Sequence, residues 1–435
     1  MKSLEKDGKR TAAVVVGLSI TGLGTIRSLA RSGIRVIGVD SDFRQPSAHT
    51  RYCEKVACPD VNSEDKLLET LISISKENKS KPVLFLSSDT SVLVASENME
   101  LLKNYYHFNL PSRSVVKTLM DKAMFSTFAE KNGHQIPKTF VINNLDDVKS
   151  LGSEIHYPCI MKPPFRGPTW DSVNRDKAFK VFSEEQLINL YKSHSILTKK
   201  FIIQEWIPGP DSEVYFCLLW YNSLSQPVAA FTGRKIMQWP PEMGSTCIAE
   251  SCNNSIVQDT SIRLLNAVGY KGIGSVEFKR DPRDNVFKIT EPTVGRVDLQ
   301  SEMACYYGIN IPLLEYYDCL GLSLPKFRKN SKRIYWVHEE NLFWLLGYQR
   351  IALLLKICAR LIKNTKCYAL FNLLDIKPFL SFLCWVGRMI LNKLMPRRSK
   401  SLSTGGDQGV REFPSENKLY HNEAVSSMFN PHDTF

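Results

Sequence analysis

The sequence lacks several patterns that would assign it to other classes of protein. Its eleven cysteines form no CxxC pair, so neither a zinc site nor a disulfide framework is indicated. No uncharged apolar run in the chain approaches the roughly 18–20 residues that span a bilayer. Residues 1–10 are charged and polar, unlike a secretory signal. These absences predict a cytoplasmic protein with free, mostly buried thiols.

Acidic residues are scarce in one segment near the C-terminus. The chain has a net charge of +12, and residues 331–400 contain 13 Lys or Arg against 3 Asp or Glu. Nearly all of the positive excess lies in that segment, so the remainder of the chain is close to neutral. Because the charge is interleaved with aliphatic residues and confined to one segment, it argues against a protein that binds nucleic acid.

The N-terminal part alternates predicted strands and helices. Apolar runs at residues 12–17, 35–40 and 82–86 are typical of buried strands, and residues 25–32 are typical of a helix. This order indicates a small open parallel sheet. It predicts a Rossmann-like domain over residues 1–112.

A glycine-containing turn follows the first of these strands. Gly17, Gly22 and Gly24 lie between the strand and the helix, and Asp40 ends the next strand. One hypothesis is a dinucleotide site with a phosphate at the helix N-terminus. The spacing is not GxGxxG, which favours a turn that binds no dinucleotide. In a third interpretation, the turn and residues 87–89 line a substrate crevice at the carboxyl ends of the strands.

A lysine lies in a short apolar strand predicted at residues 159–163. Ile160 and Met161 precede Lys162, and two prolines end the strand. A buried ammonium group is costly unless an anion lies near it, so Lys162 is a candidate ligand for phosphate. The alternative is an edge-strand lysine whose charged end reaches water. Lys122, at the start of a predicted helix, is a second candidate, although a helical lysine is usually a surface residue.

Two glutamates occupy the strands of a predicted hairpin. Glu277 and Glu291 are fourteen residues apart, on strands joined by the turn at residues 281–285. Carboxylates that face each other across such a pair can share a cation, and Mg²⁺ prefers one or two carboxylates together with phosphate oxygens. Lysines for phosphate and paired carboxylates for Mg²⁺ are what ATP chemistry needs. The alternative is two glutamates on an exposed sheet face.

The segment at residues 201–209 is an apolar strand that runs into a Pro-Gly turn. Gln204, Glu205, Trp206 and Ile207 directly precede the Pro-Gly turn. Such a segment can act as a hinge between two lobes, with its backbone hydrogen-bonded to an adenine edge. Glu213 follows closely enough to reach a ribose hydroxyl. In isolation the segment is a strand and a turn.

Taken in order, these motifs resemble the ATP-grasp superfamily. The pattern consists of Lys122, Lys162, the segment from Gln204 to the Pro-Gly turn, the GSVEF strand with Glu277, and Glu291. It is similar to the carboxylate–amine ligases, the group that includes D-aspartate ligase and carbamoyl-phosphate-synthase-like proteins. The resemblance covers roughly residues 11–325 and implies an α/β fold. A two-lobed ATP-grasp domain is expected at residues 113–325, after the Rossmann-like domain.

The resemblance also implies a mechanism and a set of site residues. A substrate carboxylate attacks the γ-phosphate of ATP to give an acylphosphate, and an amine then displaces phosphate. By this resemblance, Mg²⁺ is held by Glu277 and Glu291. The phosphates are held by Lys122 and Lys162, adenine by Gln204, Glu205, Trp206 and Ile207, and the ribose by Glu213. Arg234 and Lys235 face the phosphate and acyl groups, and Arg296 neutralises the acylphosphate.

The chain departs from the family pattern after Glu291. The family usually has Glu-x-Asn-x-Arg, but here Thr293 replaces the metal-binding Asn and Arg296 is shifted by one residue. A hydroxyl is a poorer Mg²⁺ ligand than a carbonyl oxygen, which puts a second metal ion in doubt. The loop at residues 163–170 is poor in glycine, and residues 244–246 are a second candidate for contact with the acceptor. One alternative function is therefore a nucleotide-binding sensor or scaffold without turnover. The other is a dinucleotide-dependent oxidoreductase.

The C-terminal region has a different composition. Residues 341–396 are rich in Leu, Ile, Phe and Trp at helical spacing, with Lys and Arg at the edges of the apolar face. This predicts a basic amphipathic helical segment at residues 326–400 that lies on an anionic membrane surface at the inner face. The alternative is a helical hairpin packed on the enzyme or on the second subunit of a homodimer. Residues 401–435 are predicted to be a disordered tail.

The substrates are expected to be a small carboxylate and an amine. An amino acid, a sugar acid and an envelope-glycan precursor all fit this description, and a location at the membrane favours the last of them.

Overall fold

The computed structural model describes residues 11–165, 170, 178–328, 330, 332–347 and 365–394. Its N-terminal sheet has four parallel strands in the order β3-β2-β1-β4. The elements are β1 (Ala13–Val16), α1 (Ile20–Arg31), β2 (Val36–Asp40), β3 (Glu54–Ala57), α2 (Glu64–Glu77), β4 (Val83–Leu86), α3 (Asp89–Glu97) and α4 (Met99–Leu102). Successive residues of β1 enter two different apolar cores, because both faces of the sheet are covered. The predicted Rossmann-like sheet is confirmed.

A small lobe follows, built on a four-stranded antiparallel sheet in the order β5-β8-β6-β7. It contains α5 (Arg113–Met120), α6 (Lys122–Lys131), β5 (Thr139–Ile142), α7 (Leu145–Ser150), β6 (Cys159–Lys162), β7 (Phe179–Val181), α8 (Glu184–His194) and β8 (Phe201–Glu205). The lobe has a core of its own, formed by residues such as Met161, Leu187 and Phe201. The strand that carries Lys162 is therefore a central strand of this sheet, paired on both sides.

The larger lobe is built on a seven-stranded sheet in the order β13-β12-β9-β10-β11-β14-β15. Its first elements are β9 (Val214–Tyr221), β10 (Pro227–Trp239), β11 (Ser245–Ser251), α9 (Ser255–Asn266), β12 (Gly272–Arg280), β13 (Phe287–Val294), α10 (Ser301–Tyr307) and α11 (Ile311–Cys319). The hairpin predicted for Glu277 and Glu291 is formed by β12 and β13. Two lobes on separate sheets give the two-lobed architecture expected from the sequence.

The C-terminal segment adds two strands to this larger sheet. Its elements are β14 (Ile334–Val337), α12 (Glu339–Gly347), β15 (Thr365–Tyr368) and α13 (Lys377–Leu394). β14 pairs with β11, and β15 pairs with β14. The sequence analysis expected helices in this region, so the two strands are a correction. The sequence pattern does not identify β14 as a strand, because all four of its residues are buried and show no alternation.

Arg27 joins this C-terminal segment to the N-terminal domain. Arg27 lies in α1 and is fully buried, and its Nε donates to Asp375 Oδ2 at 2.9 Å. The guanidinium group also donates to the carbonyl oxygens of Ala369 at 2.9 Å and Leu370 at 2.7 Å. Thr50 Oγ1 donates to the same Asp375 oxygen at 2.7 Å. The segment around Asp375 is therefore an integral part of the fold.

The helix α13 has two different sides. Its inner side packs against α1 through Phe382, Trp385 and Leu23. Its outer side leaves the side chains of Leu380, Leu383, Ile390 and Leu391 exposed. In the described ranges, no helix combines the length and the apolar character needed to cross a bilayer. Residues 166–169 of the loop after Lys162, the basic residues between 350 and 363, and the tail at 401–435 lie outside the described residues.

Candidate functional site

Lys122 and Lys162 are brought together by the junction of α6 and β6. The Lys122 backbone N–H donates to the carbonyl oxygen of Pro164 at 3.0 Å, two residues beyond Lys162. Asp121 caps α6 by accepting the backbone N–H groups of the next turn, which fixes the position of Lys122 at the first residue of the helix. Burial, together with the charge of Lys122, lowers the pKa of Lys162 to about 8, although Glu291 and Glu277 oppose this. The four charged groups form one site.

The two glutamates lie directly opposite each other in the β12–β13 register. Each has a lysine partner: Lys235 Nζ is 2.6 Å from Glu277 Oε2, and Lys122 Nζ is 2.9 Å from Glu291 Oε1. These lysines come from β10 and α6, so four elements meet at the pair of carboxylates, including β12 and β13. Thr293 is two residues beyond Glu291 on the same strand and therefore projects to the same face. Each of the two carboxylates therefore has a lysine as its cationic partner.

The end of β8 connects the small lobe to the β12–β13 hairpin. Glu205 accepts from Arg283 at 2.5 Å and from Lys288 at 3.3 Å. Burial alone would raise the pKa of Glu205, but the hydrogen bond from Arg283 holds it below its ordinary value. The Glu205 side chain is therefore part of the joint between the lobes, and the predicted contact with adenine would fall to the backbone around it.

Gln204 and Trp206 flank Glu205 and face charged groups. Gln204 Oε1 accepts from Lys162 Nζ at 2.8 Å, so it helps to orient the lysine. The Trp206 ring has Lys180 Nζ at 3.9 Å and Lys279 Nζ at 5.0 Å from its centroid, which are cation–π distances. Ile207, the next residue, is buried. The segment therefore lies between the two lobes, as the hinge interpretation requires.

Glu213 and Arg296 each have an ion-pair partner. Glu213 accepts two hydrogen bonds from Arg280, at 2.6 and 2.9 Å. Arg296 Nε donates to Asp89 Oδ1 at 2.5 Å, which links the end of β13 to the first residue of α3. Arg296 therefore joins the glutamate site to the carboxyl edge of the N-terminal sheet, where a substrate crevice was considered.

Arg234 is not brought to this site. Consecutive residues of a strand point to opposite faces, and Lys235 occupies the face that carries Glu277. Arg234 lies on the other face, where its guanidinium group is 2.6 Å from Glu250 Oε1, and Arg333 contacts the same carboxylate at 3.4 Å. The joint assignment of Arg234 and Lys235 to the phosphate and acyl groups overlooked this alternation.

The glycine turn after β1 is required for close packing. An added Cβ at Gly17 would collide with Ser87 Oγ, and one at Gly22 would collide with the Gly17 carbonyl oxygen. Asp40 accepts backbone N–H groups of Leu18 at 2.6 Å and Ser41 at 2.7 Å. The carboxylate that a dinucleotide ribose would need is thus already used within the chain, which disfavours the oxidoreductase hypothesis.

Sequence reasoning missed Gln238 and Asp211. Gln238 Oε1 accepts from Lys235 Nζ at 2.9 Å, and Gln238 Nε2 donates to Asp211 Oδ1 at 3.1 Å. No motif connects these residues, because Asp211 and Gln238 are 27 positions apart and meet through the fold.

Buried polar atoms lie near Thr246, on the strand next to Gln238, and at the start of α10. Thr246 pairs with Gln238 in the β10–β11 register, and its hydroxyl accepts from Gln300 Nε2 at 2.5 Å. Gln300 Oε1 and Ser301 Oγ are buried and have no hydrogen-bond partner within the described part of the chain. Unsatisfied buried acceptors are uncommon in folded proteins and are often explained by a ligand or water.

The described residues contain no group of three or more His, Cys, Asp or Glu that could hold a metal ion alone. A metal ion at Glu277 and Glu291 would therefore need phosphate oxygens as further ligands.

Comparison with known proteins supports the assignment of the fold. No family model matches the chain. The chain is 22% identical to the D-aspartate ligase of Enterococcus faecium (strain Aus0004) over 308 residues, which cover 67% of this chain and 72% of that protein. It is 22% identical over 332 residues to the large chain of carbamoyl phosphate synthase from Methanobrevibacter smithii, covering 71% of this chain but 29% of that longer protein.

A solved structure has the same architecture. It is the biotin carboxylase domain dimer of the 2-oxoglutarate carboxylase from Hydrogenobacter thermophilus, in complex with MgADP, ADP and bicarbonate. The TM-score is 0.59 at 13% identity, over 74% of this chain and 73% of that chain. The chain has the ATP-grasp fold, and its sequence is similar to proteins of the ATP-grasp superfamily. Within it, the chain resembles the carboxylate–amine ligases.

Proposed function

We propose that the protein is a Mg²⁺-dependent ligase that uses ATP to join a carboxylate to an amine through an acylphosphate. The observation that carries this proposal is the convergence of Lys122, Lys162, Glu277 and Glu291 in one site from three different parts of the fold. The curated relative named a D-aspartate ligase and the solved structure with MgADP and bicarbonate support the same chemistry.

In this proposal the lysines bind the phosphates and the glutamates hold Mg²⁺. The pair of carboxylates fits the metal, because the two side chains lie opposite each other on the hairpin. The metal would replace the Lys122 and Lys235 ammonium groups as the cationic partner of these carboxylates. The bound metal would neutralise phosphate charge during transfer. Thr293 projects to the same face and could add only a hydroxyl ligand, so one metal ion is favoured over two.

The nucleotide base would lie between the lobes. The backbone at Glu205, Trp206 and Ile207 would contact adenine, with Gln204 holding Lys162 in place. Glu213 would have to leave or share its ion pair with Arg280 to reach the ribose.

The acyl group would lie between the glutamate site and the carboxyl edge of the N-terminal sheet. Lys235 and Arg296 are the cations on this side, and both are suited to stabilise negative charge on an acylphosphate. The unpartnered Gln300 Oε1 and Ser301 Oγ would then accept hydrogen bonds from the substrate amine or hydroxyl groups. Arg234 is left out of this set because it faces away.

The test is product formation by the purified full chain with ATP, Mg²⁺ and pooled amino acids and sugar acids. The expected result is ADP and phosphate, released in proportion to an added pool. AMP and pyrophosphate would overturn the acylphosphate route. Tight ATP binding without release of ADP under any pool would select the sensor or scaffold alternative, which the replacement of Asn by Thr293 favours.

We propose that the reaction takes place at the anionic inner surface of the membrane. This location favours an envelope-glycan precursor as the substrate. The outer side of α13 supports this location, since Leu380, Leu383, Ile390 and Leu391 are 46–54% exposed. The helix contains Lys and Arg but no Asp or Glu. Two copies of such a helix would repel each other, so an anionic bilayer suits this surface better than a homodimer.

Vesicle sedimentation of the full chain tests this location. Wild type is expected to bind vesicles of phosphatidylcholine containing phosphatidylglycerol, less strongly as salt is raised. Leu380→Glu with Leu383→Glu should abolish binding, whereas the matched control Ile196→Glu with Leu224→Glu, at exposed positions elsewhere, should not. A wild-type protein that stays in the supernatant would contradict the proposal. A wild-type dimer that Leu380→Glu with Leu383→Glu dissociates would also contradict it, because α13 would then be a contact between two copies of the chain.

A further inference from the structure

Lys235 is a buried lysine with two partners of different kinds. Its exposed fraction is 5%, and its ammonium group contacts the Glu277 carboxylate at 2.6 Å and the Gln238 amide oxygen at 2.9 Å. If Glu277 binds a metal ion, as the proposed function requires, the carboxylate is no longer fully available to the lysine. A buried ammonium group that loses its partner is strongly destabilised, so a second acceptor becomes important.

The Gln238 amide is oriented by Asp211. The Gln238 backbone N–H donates to Asp211 Oδ2 at 2.8 Å, and the side-chain Nε2 donates to Asp211 Oδ1 at 3.1 Å. A carboxylate accepts hydrogen bonds and cannot donate them, so it holds the NH₂ end of the amide. The oxygen end is thereby directed at Lys235. Gln238 is 3% exposed, which leaves the amide little freedom to turn.

We infer that Gln238 is a positioning residue that holds the Lys235 ammonium towards the transferred phosphoryl group when Glu277 is occupied by a metal, and that Asp211 sets the direction of its amide. This inference rests on the proposed ligase function and refines it. The amide is a neutral acceptor, so it fixes the lysine without cancelling its charge. A carboxylate at the same place would pair with the ammonium group and weaken its attraction for phosphate.

The test uses Gln238→Glu, Gln238→Leu and Asp211→Asn in the full chain. The control is Gln226→Glu, at the turn that precedes the other end of β10. Thermal unfolding identifies any variant that does not fold. Binding of a non-hydrolysable ATP analogue with Mg²⁺ is measured by calorimetry, and ADP release is measured separately. We expect Gln238→Glu to weaken analogue binding roughly tenfold at pH 8 and to lower kcat further, with Gln226→Glu unchanged.

The pH profile separates positioning from a structural role. Protonation of the introduced carboxylate restores a neutral group, so both activity and analogue binding of Gln238→Glu should recover as the pH falls towards about 5. The Leu variant should show no such recovery. A Gln238→Glu protein with wild-type affinity and kcat across this range would overturn the inference. If the proposed ligase function is wrong, the wild-type protein will bind the ATP analogue but release no ADP. Calorimetry would still test the role of Gln238 in that case, because it compares analogue binding by wild type and by the Gln238 variants.

Discussion

Glu277 and Glu291 face each other across two antiparallel strands, and each is held by a lysine from another element. Lys235 contacts Glu277 at 2.6 Å and Lys122 contacts Glu291 at 2.9 Å. Two carboxylates placed this closely would repel each other without cations. The lysines offset that repulsion, and under the proposed function a Mg²⁺ ion would take over this role.

Replacement of Glu291 by Gln tests the metal site directly. The amide keeps the size of the side chain, so the fold should be retained, but a negative ligand is lost. We expect Mg²⁺-dependent ADP release to fall roughly 100-fold or more. The measurement is initial rate against Mg²⁺ concentration. Glu69→Gln, which alters an exposed helical ion pair, should behave as wild type; equal rates in both variants would contradict the assignment.

Lys162 predicts a pH dependence of nucleotide affinity. Its pKa is lowered to about 8, mainly by burial, so the ammonium group is present below this pH and is lost above it. ATP affinity measured by calorimetry should therefore fall as the pH rises through about 8. Lys162→Arg should flatten this dependence because guanidinium stays charged. Lys162→Ala should bind weakly at every pH, and a wild-type affinity in that variant would return Lys162 to a structural role.

Arg234 and Lys235 should differ sharply despite being neighbours. Lys235→Ala removes a cation from the face that carries Glu277, and we expect turnover to fall roughly 100-fold. Arg234→Ala removes a cation from the opposite face, where Arg333 still contacts Glu250, so turnover should stay close to wild type. Parallel kcat and KM measurements check this. If both variants lose turnover to a similar extent, the positions of Lys235 and Arg234 on opposite faces of the sheet do not give them different roles.

Arg27 is expected to be among the residues that most affect stability. Arg27→Met leaves the buried Asp375 carboxylate without its cation, and we expect the free energy of unfolding to fall by about 3–5 kcal/mol. Urea denaturation measures this change. Arg35→Met breaks an exposed pair with Glu54 and should cost roughly 0–1 kcal/mol. If the free energy of unfolding falls by similar amounts in the two variants, water must reach the Asp375 carboxylate once Arg27 is removed.

Local patterns were sufficient to predict much of the fold. Buried strands such as β1 and β4 are short Val- and Leu-rich runs, and the β12–β13 hairpin has a clear turn between its strands. Lys162 and the two glutamates were identifiable because a charge within an apolar strand needs a partner. Their assembly with Lys122 followed from the family resemblance, since sequence spacing alone does not bring α6 to β6.

The remaining features depend on contacts between distant residues. Arg27 meets Asp375 across 348 positions, and β14 joins β11 more than 80 residues away. Gln238 was missed for the same reason, because its significance comes from Lys235 and Asp211 as they meet in the fold. The side to which Arg234 points could have been predicted from strand alternation, which the resemblance obscured.

The packing of Gly233 determines which of the two neighbouring cations, Arg234 or Lys235, faces Glu277. A Cβ at Gly233 would overlap the ring of Phe216 on the neighbouring strand. A slip of β10 by one residue would exchange the two faces and place a bulky side chain against that ring. The Arg234–Glu250 ion pair holds the same alignment from the other side. Gly233 and the Arg234–Glu250 ion pair therefore both fix the register of β10. This register directs Lys235, rather than Arg234, towards Glu277.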